Sequence, residues 1–137
     1  MALRSKAREY ALQMLFQWEM TQQEPWRVES GFWKNARSEK NTRVFANQLF
    51  EGAVSELKSL DELIVQHASN WRLDRMAAID RAILRLATHE LRRGETPYKV
   101  VLDEAVELAK TFSSAEAPPF INGVLDAVHK AIQENRE

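Results

Sequence analysis

Cysteine is absent from the 137 residues, which excludes disulfides, thiolate zinc sites and cysteine nucleophiles. Glycine and proline number only four each, and the glycines are too scattered for a phosphate loop or a dinucleotide-binding turn. No uninterrupted apolar stretch approaches the length of a membrane span, and the opening MALRSKAREY has no signal-peptide core. A cytoplasmic protein without membrane association is the expectation. Neither sign of charge dominates: the net charge is −1, so this is not a globally basic nucleic-acid binder. The period-2 alternation of a strand is missing throughout. His67, His89 and His129 each lack a second ligand at helical spacing, so no metal site is expected. Asp103, Glu104 and Glu107 fall on the outer face of a helix with Lys110 three residues on, which makes a solvated ion-pair surface. The sequence therefore does not read as an enzyme: no catalytic residue and no cofactor are expected.

What is present is helix-forming. Hydrophobic residues make up 45% and charged residues 28% of the chain, the balance of a globular protein with a core of its own. The first helix runs from about Leu3 to Gln23 and stops before Pro25. A short, weak one lies around SGFWKNA (30–36). A third spans roughly Asn41 to Leu57, with Val44, Phe45, Gln48, Leu49 and Gly52 marking one side. SLDE at 59–62 has the form of a capping box opening a fourth. Asp74 is placed to cap a helix whose inner face carries Met76, Ile79, Ile83, Leu86 and Ala87, ended by Gly94. Thr96 and Pro97 open the next, with Val101, Leu102, Ala105, Leu108, Ala109 and Phe112 inside. SSAEAPP (113–119) breaks the chain before a last helix bearing Ile121, Val124, Leu125, Val128 and Ile132. The expected fold is all-α: about seven helices in two packed subdomains, about 1–71 and about 72–137.

The first helix carries an anomaly. Ala7, Tyr10, Ala11, Met14, Leu15 and Trp18 follow the spacing of a buried face. Phe16 lies about 180° from Ala7 at 100° per residue, on the side occupied by Ser5, Glu9, Leu12 and Gln13. Arg4, Lys6 and Arg8 precede it with no acid before Glu9. Cations are disfavoured at a helix N-terminus, so the cluster points towards an anionic partner. An aromatic ring exposed beside cations is a stacking platform with a phosphate clamp, suited to single-stranded RNA. The alternative is that Phe16 packs beneath another helix.

AREYALQMLFQWEM, DRAILRLATHEL, TPYKVVLDEAVELAKTF and FINGVLDAV, in that order, resemble the NusB family of bacterial transcription antitermination factors. The similarity covers nearly the whole chain and is weakest between Gln23 and Asn41. It implies an all-helical fold of two subdomains. It also implies binding to boxA, a single-stranded RNA element of ribosomal RNA leaders, together with the ribosomal small-subunit protein NusE. That complex joins RNA polymerase and suppresses premature termination. By position, Arg4, Lys6 and Arg8 correspond to the family's basic arm, thinned here by Ser5 and Ala7, and would neutralise phosphates. Gln13 matches a glutamine able to bond a base edge. Phe16 stands where the family usually has an aromatic, often tyrosine. Phe120 and Asn122 match a motif whose aromatic lies near the RNA path, while Pro119 stands where a basic residue is frequent. Asp80 matches an acidic position on the face that meets NusE. The resemblance leaves monomer and homodimer open.

Two other readings use the same residues. One is a protein-only helical adaptor whose aromatic and acidic faces dock proteins. The other is the NusB-like RNA-binding domain of a ribosomal RNA methyltransferase, which the absence of a cofactor-binding region before Glu137 disfavours.

Overall fold

The computed structural model describes residues 2–68 and 72–136. Among these are seven α-helices and no strand, as the sequence pattern predicts. The chain divides into two compact units, Met1–Ser55 and Glu56–Glu137. The first holds α1 (Ala2–Thr21), α2 (Pro25–Asn35) and α3 (Lys40–Ser55). The second holds α4 (Leu57–His67), a 3-10 turn at Leu73–Arg75, α5 (Ala78–Arg93), α6 (Tyr98–Phe112) and α7 (Ala117–Arg136).

In the first unit α1 packs on both α2 and α3. Ala7, Ala11, Leu12, Met14 and Leu15 are fully buried, with Ala46, Phe50 and Ala53 of α3 and Val28 of α2. Having two helices against it widens the buried side of α1 to about 160°, from Met14 round to Leu12. Leu12, expected on the wet side, is therefore core. Trp18, expected in the core stripe, is only half-buried. On α3 the buried side is Thr42, Ala46, Leu49, Phe50 and Ala53, while Val44 and Gln48, expected inward, are exposed. Pro25 occupies the first turn of α2, where its missing N–H costs nothing. That start makes α2 longer than the 30–36 stretch expected.

The second unit is built around α5, which packs against α4, α6 and α7. Ten consecutive residues, Ala82 to Leu91, are buried. Leu60 and Ile64 of α4, Val101, Leu102, Ala105, Leu108 and Ala109 of α6, and Ile121, Val124, Leu125 and Val128 of α7 complete the core. Each large aliphatic side chain so buried contributes about 1.5–3 kcal/mol of transfer free energy.

Polar ties also hold α4 to α5. The Arg85 guanidinium donates to both oxygens of Asp61 at 2.8 and 2.9 Å, and His89 Nδ1 lies 2.8 Å from Glu56 Oε1. These contacts explain why the division between units falls before α4. The sequence reading places it near residue 71, which lies outside the described residues.

Three expected caps differ. Ser59 sits inside α4 and its hydroxyl donates to the Glu56 carbonyl at 3.0 Å, so no capping box forms there. Asp74 belongs to the 3-10 turn, and Ala77 is the N-cap of α5. Pro97 rather than Thr96 is the N-cap of α6. Gly94 behaves as expected, ending α5 in the left-handed region at φ 71°.

Candidate functional site

The N-terminal candidates sit on α1 of the first unit. Lys6 is exposed, with its ammonium 5.2 Å from the Tyr10 ring centroid and 3.7 Å from Glu9 Oε2. Gln13 is exposed, and Phe16 is 37% exposed. At 100° per residue Lys6, Gln13 and Phe16 fall within about 80° of the helix circumference. The structure thus brings a cation, an amide and a ring onto one wet strip. Arg4 is also exposed, its guanidinium 4.1 Å from the Phe45 ring centroid on α3. A planar cation over an aromatic face keeps its charge and its outward donors.

Arg8 departs from the expectation. It is 5% exposed, with its guanidinium 5.5 Å from the same Phe45 ring. Its position on the wheel falls inside the wide buried side of α1, so it supports α3 instead of presenting a charge to solvent. The sequence marks Phe45 only as part of one side of the third helix, and neither its place beneath Arg4 and Arg8 nor the pairing of Arg43 with Trp33 (5.0 Å) is evident there. Those partnerships depend on which helices meet, and no local spacing encodes that.

In the second unit the candidates are dispersed. Phe120 is half-buried and Asn122 exposed on α7. They lie about 160° apart around the helix, flanking opposite edges of the stripe that Ile121 buries. A Cβ on Gly123 would meet nothing within 4 Å, so this glycine does not serve close helix packing. Asp80, half-buried in the first turn of α5, accepts a 2.5 Å hydrogen bond from the Ser113 hydroxyl at the end of α6. An acid there also suits the helix dipole. Asp80 therefore has a structural use that needs no partner protein.

One further titratable group stands out in the first unit. Glu29 of α2 is pushed up to about 8, chiefly by burial, then by a hydrogen bond and charge repulsion from Glu51 of α3. At neutral pH it is mostly uncharged, which leaves the basic side chains of this unit with fewer counter-charges.

The likeness to known proteins agrees with this geometry. Residues 5–130 match the sequence profile of the NusB family. The transcription antitermination protein NusB of Solibacter usitatus is 43% identical over 98% of this chain and 93% of its own length. That of Koribacter versatilis is 46% identical over the same shares. A crystal structure of the antitermination factors NusB and NusE in complex with double-stranded RNA superposes with a TM-score of 0.85 at 29% identity. It covers 96% of this chain and 98% of the other.

Proposed function

This chain belongs to the NusB family, and from that premise we propose that it is a transcription antitermination factor that binds boxA-type single-stranded RNA together with NusE. In that role it acts with RNA polymerase in the cytoplasm to suppress premature termination on ribosomal RNA operons, and performs no catalysis. The observation that carries the RNA reading is the strip on α1, where the exposed Phe16 ring lies beside Gln13 and Lys6. Single-stranded RNA presents unstacked bases, so a ring can stack one while an amide reads an edge and cations hold the backbone. Lys6 and the exposed Arg4, laid on Phe45, are the phosphate contacts, and Arg8 braces α1 against α3. Phe120 or Asn122 can contribute from α7, but not both to the same side of that helix. Asp80 remains the candidate towards NusE, provided that its bond to Ser113 is kept or exchanged.

The test is titration of a boxA-type single strand and of a duplex of the same sequence, with and without NusE. A small basic strip on a net-acidic chain predicts weak binding alone and tighter binding with NusE, and the single strand should be preferred. By linkage, RNA must then strengthen NusE binding by the same factor. Equal RNA affinity with and without NusE would overturn cooperative recognition, and indifference to RNA altogether would leave a protein-only adaptor.

A further inference from the structure

The stretch KNARSEKNTR, residues 34–43, holds Lys34, Arg37, Lys40 and Arg43 against the single acid Glu39. It runs from the last turn of α2 to the first turn of α3. All four cations are exposed, and none lies within ion-pair distance of a carboxylate among the described residues. Several surface cations of the second unit are held differently. Arg72 pairs with Asp74, Arg93 with Glu95, Lys110 with Glu107 and Lys130 with Asp126.

One of the four is also pre-positioned. The Arg43 guanidinium sits 5.0 Å from the Trp33 ring centroid. The indole is itself fixed, since Trp33 Nε1 donates to Asn47 Oδ1 at 2.9 Å and its ring meets Tyr10 and Phe32 edge-on. A guanidinium laid on an anchored ring loses less freedom when it binds a phosphate. Four uncompensated cations within ten residues repel one another, and an anionic polymer relieves that repulsion.

We propose that Lys34, Arg37, Lys40 and Arg43 form a second RNA-backbone contact that holds nucleotides flanking the boxA-type element, independent of base sequence. This rests on the RNA-binding reading above. It makes the first unit a two-point clamp on one strand, with base recognition on α1 and phosphate neutralisation on the α2–α3 connection.

The test compares two RNAs in the presence of saturating NusE. One is the boxA-type element alone. The other is the element extended on each side by about ten uridines, within the span that one binding module covers. The two proteins are the native chain and the triple variant Lys34→Gln, Arg37→Gln, Lys40→Gln. Each phosphate neutralised on a single strand steepens log K against log salt by about 0.7, so the four contacts of the native chain add a slope of about 2.8. The native protein's preference for the longer RNA should therefore shrink roughly 50-fold between 50 and 200 mM salt.

In the triple variant that preference should fall, and its change with salt should drop to the roughly 3-fold that Arg43 alone supports, while affinity for the short RNA and the thermal melt stay unchanged. If the variant keeps the native preference for the longer RNA, the proposal is wrong and the RNA-binding reading stands. A native protein that binds neither RNA overturns both. A variant that loses NusE affinity without RNA shows that the segment docks protein, which also overturns the proposal.

Discussion

The two units use charge and aromatic rings in opposite ways. Residues 1–55 hold eight Lys and Arg against six Glu, and eight of the twelve aromatic residues. Residues 56–137 hold eleven Lys and Arg against fourteen Asp and Glu, and the other four aromatics. In the first unit cations lie on rings: Arg4 on Phe45, Lys6 on Tyr10, Arg43 on Trp33, Arg27 on Trp26. In the second, Arg72, Arg85, Arg93, Lys110 and Lys130 pair with carboxylates, and the central pair, Arg85 with Asp61, is nearly enclosed. A ring steadies a cation without neutralising it, so the charge remains free for a ligand. A carboxylate neutralises it and leaves a scaffold. The difference suits the first unit to the recognition proposed for it and the second to holding the fold.

The contrast is broken most severely at the enclosed pair. Arg85→Ala strands the Asp61 carboxylate in a site built for its partner and should destabilise the protein by about 3–5 kcal/mol, read from urea unfolding. A loss below about 1 kcal/mol would mean that the second unit's ion pairs are no more structural than ordinary surface ones.

A smaller and different loss is expected on the first unit's wet strip. Phe16→Ala should leave the melting temperature nearly unchanged and weaken RNA binding by about 1–3 kcal/mol, or roughly 5- to 150-fold. Phe16→Tyr, which keeps the ring face, should bind nearly normally. If Phe16→Ala unfolds the protein while its folded remainder binds RNA normally, the ring is core and the assignment fails.

The mildest effect sharpens the comparison through pH. Glu29 has a folded pKa of about 8, above the ordinary carboxyl range. The folded state therefore holds a proton that the unfolded chain releases. Its contribution is fully present below the unfolded pKa near 4.5 and lost as pH rises through 8. Thermal melts should show stability falling by a few degrees between pH 5 and pH 8, and Glu29→Gln should remove that part of the decline. A variant with an unaltered pH profile would show that Glu29 is ionised in the folded protein.

Helix number and type were legible in the sequence because apolar periodicity is a local property. The turn at Gly94 was legible for the same reason, since only its own φ is at issue. Val44 was misread because the buried side of α3 is turned away from it, towards Thr42, Ala46 and Phe50, and Leu12 and Arg8 because the width of a buried side depends on how many helices converge on it. On α1 that number is two. Ser59 and Asp74 satisfy local capping rules, yet tertiary packing starts α4 earlier and α5 later than those rules suggest. The Phe16 anomaly was visible as a ring among polar neighbours. The cations at 34, 37, 40 and 43 recur every third residue, but the run straddles the break between α2 and α3, so no single helix face carries it.

The burial of α5 has a consequence for how such a chain can change over time. Most helices have an outward face on which substitutions are nearly neutral, and drift accumulates there first. From Ala82 to Leu91 α5 has no such face. A larger side chain meets α4, α6 or α7, a smaller one leaves a void, and a new polar group lacks a partner. Within DRAILRLATHEL, one of the four stretches that carry the family resemblance, Ala82–Leu91 is thus constrained by packing on every side. Novelty in this protein has to arise where side chains are free to vary, above all in the exposed connection between α2 and α3.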